Sequence, residues 1–598
     1  MGKHLPTWPN LVTMFLDQAQ RLGRRPFLGA RKDGKWVTMS WAEAASQVAR
    51  LAEGLIELGI EPGDRVAIVA ENRPEWAIAD LGVMAAGAVS VPTYTTNTTR
   101  DHLHILENSG ARAAIVSTAR LAQTLLPAAL QSGVCRDVIH INPVRQRGQT
   151  EEVGLHAWDA LLARQKGDIE TVRRRMADVG RSDLACIIYT SGTGGAPRGV
   201  RFHHGMILHN VENAATIVLE DFPRGTERFL SFLPLSHSYE HSAGLYLPIG
   251  MGSEIFYAEG IDKLAGNIEE VRPTIMVVVP RLFEVMRQRM IRAIEKKGGL
   301  APRMLAAALR IEARREEGGL SLLDRASNLL VDRTIRRTAR ARFGGRLKAM
   351  VSGGAPLNPE VGRFFKALGL LVLQGYGQTE SGPIMSCNRP RAGIKMHTVG
   401  PPLENTEVRI AADGEILCRG ELVMHGYWQN PSETARALKD GWLHTGDIGH
   451  LDEDGHIVIT DRKKDIIVLD KGDNVAPQRI QGMLTLQPEI VQAMVWGDRR
   501  PYLVAVVVPD PEWMAAWAAE RGLPADLAQL RADPGFTRAL QAAVDRVNAE
   551  LSVIEKVRRI VIADGPFTVE NEQLTPSMKI RRHVLARVYG ERLDALYA

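Results

Sequence analysis

Cysteine is scarce in this chain. The four residues among 598, Cys135, Cys186, Cys387 and Cys418, are scattered without a CxxC pair or any other zinc-ligand spacing. That usage excludes a disulfide framework and fits a reducing compartment. No run reaches the roughly 18 consecutive apolar residues that a membrane-spanning helix needs. Met1-Gly2-Lys3-His4-Leu5-Pro6 carries a positive charge but lacks the apolar run of a secretory signal. Pro6 also stands where a myristoylation motif wants Ser or Thr. A strong net charge is missing too: the formal value of +5 is small for this length and argues against a nucleic-acid partner. Internal repeats, low-complexity tracts and the GxSxG or Cys–His patterns of a side-chain nucleophile are absent. The expectation is a cytoplasmic protein whose membrane contact, if it has any, is peripheral.

What is present is ordinary globular material, 45% hydrophobic and 24% charged. At 598 residues the chain exceeds one compact core, so at least two domains are expected. Residues 189 to 199 read Tyr-Thr-Ser-Gly-Thr-Gly-Gly-Ala-Pro-Arg-Gly and follow the apolar run Leu184 to Tyr189, which reads as a buried strand. Hydroxyls alternate here with glycines that let the backbone approach a ligand closely. Such a loop is either a plain surface turn or a cradle of N–H groups for an anion, phosphate above all. It is not a Walker A loop, because Gly-Lys-Ser or Gly-Lys-Thr does not follow at the required spacing.

The first half alternates helical patterns (Ala44 to Leu58, Trp76 to Met84) with short β-rich runs. The strand candidates are Asp64 to Ala70, Val89 to Pro92, Ala113 to Val116, Val138 to Ile141, Ile275 to Val279 and Leu347 to Ser352. The alternation predicts stacked α/β layers with mostly parallel sheets. From Val408 to His456 the strands are short and separated by Asp-Gly turns, as in a small antiparallel or barrel-like unit. The charged run Asp461-Arg462-Lys463-Lys464-Asp465 reads as a linker, giving domains at 1–460 and 461–598. The second, with strands at Ile490 to Trp496 and Leu503 to Val508, is a smaller α+β unit. Between Glu284 and Lys348 there are 17 Lys or Arg against 7 Asp or Glu. That region is either a solvated helical insertion or a surface that sits beside anionic lipid head groups.

Further motifs lie downstream. Ser352-Gly353-Gly354-Ala355-Pro356-Leu357 offers tight backbone to something flat. Gln374-Gly375-Tyr376-Gly377-Gln378-Thr379-Glu380-Ser381 brings a ring, a hydroxyl and a carboxylate together, suited to a base, a phosphate and a hard cation. Asp447, at the end of Trp442-Leu443-His444-Thr445-Gly446-Asp447, is either a turn residue or an acceptor for sugar hydroxyls. Arg462 is either part of a solvated charge run or a partner for the same ribose. Lys579, in Leu574-Thr575-Pro576-Ser577-Met578-Lys579, taken alone is an ordinary surface lysine.

In order and spacing, these segments resemble the AMP-forming (adenylate-forming) acyl-CoA synthetase family along nearly the whole chain, and its long-chain branch most closely. The branch traits are Leu233-Pro234-Leu235-Ser236-His237, Gly472-Asp473-Asn474-Val475-Ala476-Pro477 after Asp461 to Lys464, and Leu574 to Lys579. The family's phosphate loop is usually written YTSGTTGxPKG; here Gly194 replaces a Thr and Arg198 replaces the Lys. The resemblance implies that Thr190, Ser191, Gly192, Thr193, Gly194, Gly195, Arg198 and Gly199 hold the ATP phosphates. It implies that Thr190 and Glu380 hold Mg²⁺ and that Gly353, Gly354, Ala355, Tyr376, Gly377 and Thr379 surround the nucleotide. Asp447 and Arg462 would bind the ribose, and Lys579, on a mobile C-terminal domain, would reach the α-phosphate and the fatty carboxylate. His237 would lie beside the acyl site or be a core histidine. His241 falls where some relatives keep an aromatic gate to the fatty-acid tunnel, or it is a satisfied core histidine.

The implied activity is ATP-dependent activation of a long-chain fatty acid through acyl-AMP to acyl-CoA, with coenzyme A as co-substrate. The alternative is an acyl-AMP ligase that loads a carrier protein.

Overall fold

Strands of β-branched and aliphatic residues, fully buried on both faces, set the architecture of the larger part of the molecule. Residues 4–144, 152–190, 197–575 and 578–598 are described in the computed structural model. The glycine loop from Ser191 to Gly195 lies outside them, as do Pro576 and Ser577.

A seven-stranded sheet runs, in spatial order, Gly154–Ala157, Asp137–His140, Ala111–Val116, Arg65–Val69, Val89–Pro92, Leu184–Thr190 and Arg198–His203. Only the last pair is antiparallel, and it forms the hairpin that carries the glycine loop. An eight-stranded sheet runs Ser386–Cys387, Val372–Tyr376, Ala349–Ser352, Ile275–Val278, Arg228–Ser231, Glu254–Tyr257, Pro26–Lys32 and Lys35–Ser40. Its central pairings are parallel and its two outer ones antiparallel.

The helix Trp41–Glu57 starts at Ser40, whose side chain accepts from the Glu43 N–H while the Glu43 carboxylate takes the Ser40 N–H. The helix Pro74–Ala85 is buried at every position from Trp76 to Ala85. Being hydrophobic all round, it can only sit inside the molecule. One core joins residues of both sheets with these helices, from Trp8 through Phe27, Trp41 and Trp76 to Tyr246 and Ile457. The stacked α/β layers expected from the alternation are therefore present.

The segment 407–462 forms the antiparallel unit: Glu407–Ile410, Glu415–Arg419, Trp442–Leu451 and Leu438–Lys439, with Ile457–Arg462 on the free edge of Trp442–Leu451. That last strand ends at Arg462, opposite Asp447, and a turn follows in which the Asp465 N–H donates to the Arg462 carbonyl at 2.8 Å.

Beyond the turn, Ile490–Trp496, Leu503–Pro509 and Val557–Ile562 make a three-stranded sheet. All seven residues of Leu503–Pro509 are buried. Their alternate side chains feed two cores, Leu503, Ala505 and Val507 on one face and Val504, Val506 and Val508 on the other. This is the smaller α+β unit.

The basic region is a helical excursion from the eight-stranded sheet. It comprises Pro280–Lys297, Ala301–Glu316 and Leu322–Val331, the last running through a π-turn into Arg337–Arg342. Arg292 ties it to the C-terminal part through Asp510, at 2.8 Å, and Glu512. All four cysteines are free and buried. No helix among the described residues is long and apolar enough to cross a membrane.

Candidate active site

Between the parallel sheets, the antiparallel unit and the C-terminal part lies a cleft of about 1490 Å³. Its walls come from the ends of strands and the turns that follow them, where backbone groups are left without ladder partners. The glycine-loop hairpin contributes Thr190 and Arg198, which face each other across the last rung of its ladder. The strand Ala349–Ser352 runs into Gly353, Gly354 and Ala355. Gly353 is pressed against the Tyr239 ring, which an added Cβ would meet at 2.8 Å, and Gly354 has φ +83°, where a side chain is strained. Tyr376 and Gly377 end the strand Val372–Tyr376 region, and Thr379 and Glu380 occupy the 3₁₀ turn after it. At Gly377 a Cβ would fall 2.1 Å from the Pro383 carbonyl oxygen, so no larger residue fits. Asp447, Arg462 and Lys579 complete the wall.

The polar groups are held by one another. Tyr376 donates its hydroxyl to Asp447 Oδ2 at 2.8 Å, and Arg462 Nε donates to Asp447 Oδ1 at 2.9 Å. Burial opposes the Arg462 charge, but the adjacent Asp447 carboxylate outweighs it and raises the guanidinium pKa. Tyr427 donates to Glu380 Oε1 at 2.7 Å, and the Thr379 and Ser238 hydroxyls are 3.2 Å apart. His237 Nδ1 accepts from the Tyr239 N–H at 3.2 Å. Burial, helped by the charge of Lys579, pushes the His237 pKa down to about 3, so this ring is neutral at physiological pH. Lys579 donates its backbone N–H to the Thr575 hydroxyl at 3.0 Å. Burial, with Arg462 adding repulsion, draws its ammonium pKa down to about 8 against the opposing pull of Asp447, Glu380 and Asp465. A partly neutral lysine among carboxylates is a group poised to receive an anion.

Arg198, the departure from the family loop, has a structural setting of its own. Its guanidinium reaches Glu433 Oε2 at 2.5 Å and lies 4.6 Å from the centroid of the Tyr427 ring. A planar cation can stack on a ring and bond a carboxylate at once, which a lysine ammonium does less well. Arg198, Tyr427 and Glu380 thus form one connected series. Tyr427 and Glu433 were not singled out in the sequence; a tyrosine in Gly426-Tyr427-Trp428 and a glutamate in a short helix give no signal without the fold.

Gly199 does not line the cleft. A Cβ there would lie 2.7 Å from Ile187 and 3.3 Å from Trp428, so it serves the packing behind the loop. His241 does not line the cleft either. It is wholly buried in the π-turn His241–Tyr246, with Nε2 3.0 Å from Asp80 Oδ2, a carboxylate that also accepts from the Tyr246 hydroxyl at 2.6 Å. Its neighbours are Trp76 and Tyr246, edge-on, which makes it a core residue. His203 and His204 are structural: His203 caps the helix His204–Asp221, and His204 accepts the Leu11 N–H at 3.3 Å.

Behind Tyr239, Pro383 and Ile384, which it shares with the cleft, lies a second cavity. Its walls are almost entirely apolar, including Ile217, Val218, Ala243, Leu247, Val277, Leu373 and Leu403. At about 60 Å³ it is closed down to the space of a few waters.

The AMP-binding enzyme family model matches residues 15–428, and the AMP-binding enzyme C-terminal domain model matches residues 464–598. Long-chain-fatty-acid–CoA ligase FadD15 of Mycobacterium tuberculosis is 35% identical, covering 94% of this chain and 93% of the relative. The peroxisomal long chain acyl-CoA synthetase 7 of Arabidopsis thaliana is 30% identical, covering 99% of this chain and 87% of the relative. The A domain of the carboxylic acid reductase of Segniliparus rugosus, solved with AMP and a co-purified carboxylic acid, has a TM-score of 0.77. It covers 98% of this chain and 94% of that one at 22% identity, a likeness of fold. With both family models matched in order across the chain and two such relatives spanning it, this protein belongs to the AMP-binding enzyme family of adenylate-forming acyl-CoA synthetases.

Proposed function

We propose that this protein is a long-chain fatty-acid–CoA ligase that couples ATP cleavage to AMP and pyrophosphate with formation of a fatty acyl-CoA. The observation that carries the reading is the meeting of Lys579, Glu380, Asp447 and Arg462 in one cleft next to an apolar cavity. A carboxylate is a poor acyl donor because its leaving group would be oxide. Its attack on the α-phosphate gives a mixed anhydride, acyl-AMP, from which the CoA thiol later displaces AMP. Two anions must meet in the first step, so this chain's task is positioning and charge neutralisation.

In this reading Asp447, fixed by Tyr376 and Arg462, accepts from the ribose hydroxyls, and Gly353, Gly354 and Ala355 lie along the adenine. Lys579 neutralises the α-phosphate and the attacking carboxylate. The Glu380 carboxylate has one oxygen engaged by Tyr427, leaving the other for a hard cation, with Thr190 on the same wall. This donor set fits Mg²⁺, which binds through one or two carboxylates plus substrate phosphates. The ion, when bound, supplies further neutralisation of the phosphate charge. Tyr427→Phe keeps the ring under Arg198 but frees Glu380. Its expected effect is a rise of about 10-fold in the Mg²⁺ concentration for half-maximal activity, from loss of one charge-assisted hydrogen bond. A titration of activity against Mg²⁺ checks it.

Lys579 cannot stay in the cleft while the pantetheine arm enters beside it. We assign 1–460 and 461–598 to the two domains and place the hinge at Asp461 to Lys464, so that the second swings after adenylation. The acyl chain enters between Tyr239 and Ile384 into the apolar cavity, whose walls must part to take a long tail. Ala243→Phe fills that space. It is expected to lower kcat/KM for a sixteen-carbon acid relative to an eight-carbon acid by roughly 10²-fold, the value of about four methylenes at 0.8 kcal/mol each. A panel of acids assayed for CoA thioester decides this, and equal loss for all lengths would contradict the placement. The excess of basic residues in 284–348 supports a peripheral contact with a membrane surface.

A further inference from the structure

Arg292 lies late in the helix Pro280–Lys297, and its guanidinium reaches residues 218 and 220 places further along the chain. Nη2 donates to Asp510 Oδ1 at 2.8 Å and Nη1 donates to the Glu512 carboxylate. Both acids belong to 461–598, so Arg292 joins the two parts of the chain by charge, outside the hinge segment. Asp510 is buried and already fixed in place. The same Oδ1 caps the helix Pro511–Ala519, accepting the Glu512 and Trp513 N–H groups at 3.0 and 2.9 Å. Two further contacts continue the seam towards the cleft. Asn358 Nδ2 donates to the Gly482 carbonyl at 3.5 Å, and Leu486 packs against the core that contains Phe283, Phe364 and Phe365. Asn358, Gly482 and Met483 also line the cleft, as Lys579 does.

We infer that Arg292 is a positioning residue for adenylation. With Asp510 and Glu512 it forms a charge latch that holds the second domain over the cleft, Lys579 inside, and that parts before the thiol step. The inference rests on the domain alternation placed at Asp461 to Lys464 in the ligase reading. The latch is suited to release. Asp510 keeps its two cap hydrogen bonds when Arg292 withdraws, so the carboxylate is not left without donors. Arg292 is half-buried and Glu512 exposed, so water takes over their charges at small cost. The pair still matters, because an enzyme that visits two arrangements in every turnover cannot favour either one by much. A partly buried, hydrogen-bonded ion pair shifts such an equilibrium by about 5-fold, and this one acts on the closed arrangement alone. Salt weakens the ion pair and leaves the apolar contact at Leu486 intact.

The test compares the two half-reactions in the full chain: pyrophosphate exchange with palmitate, and conversion of supplied palmitoyl-adenylate to thioester. Arg292→Ala is expected to lower exchange about 5-fold, while thioester formation from the adenylate stays the same or rises. Asp510→Asn keeps the cap acceptor and removes the charge, so it should reproduce the effect of Arg292→Ala. The double variant should then lose no more than either single one, and Arg292→Lys should recover part of the loss. Added salt should lower exchange relative to thioester formation in the unaltered protein, and should leave that ratio unchanged in Arg292→Ala. All the variants should melt as the unaltered protein does. Unchanged exchange in Arg292→Ala, equal loss of both half-reactions, or additive losses in the double variant overturns the latch. Lys579→Ala separates this from the reading beneath it. Should that variant slow both half-reactions equally, the alternation fails and the latch with it. Should it separate them while Arg292→Ala does not, the alternation stands and the latch alone is lost.

Discussion

Lys579→Ala is expected to slow acyl-adenylate formation by on the order of 10²–10³ while supplied acyl-adenylate is still converted to thioester at close to the normal rate. The ammonium sits in a cleft where burial has already drawn its pKa to about 8, and Asp447, Glu380 and Asp465 are the charges that oppose the shift. Removing it leaves two incoming anions without their cation in a site of low dielectric, where the loss is greatest. In the thiol step the leaving phosphate oxygen of AMP takes the bonding pair and a second negative charge, but with the second domain swung away Lys579 is no longer beside it, so its removal is not felt there. The same group sets a pH limit. A lysine whose pKa is lowered is charged below that value and loses its proton as pH rises through it, so adenylation should decline above about pH 8. Lys579→Arg, which stays charged, should lose that upper limb even if its overall rate is lower. The pH profiles of pyrophosphate exchange for the two proteins check this. Equal loss of both half-reactions in Lys579→Ala would rule out the alternation of domains.

Glu380→Gln should cost a similar factor, on the order of 10² in kcat/KM for ATP, and part of the loss should return at high Mg²⁺. The amide is isosteric and its oxygen can still accept from Tyr427, so the fold around it keeps its hydrogen bond. What is lost is the negative charge that would share the cation with the phosphates. A Gln variant of unaltered Mg²⁺ dependence would remove Glu380 from the metal site. The comparison with Tyr427→Phe is informative, because that change keeps the charge and alters only its orientation.

Much of the frame was legible because it depends on local pattern. Ile490–Trp496 and Val89–Pro92 have in the structure the bounds that their β-branched composition predicts, and Ser40 with Glu43 starts a helix by a contact three residues long. The strand Ile457–Arg462 runs past Thr460, because Arg462 is held in the ladder opposite Asp447, a pairing that a charged run does not announce. The site's motifs were visible one at a time, but their mutual support was not. Tyr376 and Asp447 are 71 residues apart, and Arg198 and Glu433 are 235 apart. His241 shows the limit: its place in the sequence leaves a gate and a core histidine both open, and the partner that holds it in the core, Asp80, is 161 residues away. The exposure of the four leucines of Leu322–Val331 is a tertiary fact that their spacing does not announce.

The central claim is that a long-chain acid is activated as its adenylate and then passed to CoA. It is tested most directly by exchange of labelled pyrophosphate into ATP in the presence of palmitate, followed by addition of CoA. The account predicts exchange that requires the acid and not CoA, then release of AMP and acyl-CoA in equal amounts once CoA is added. Exchange without the acid, release of ADP in place of AMP, or acyl transfer to a carrier protein with none to CoA would contradict it.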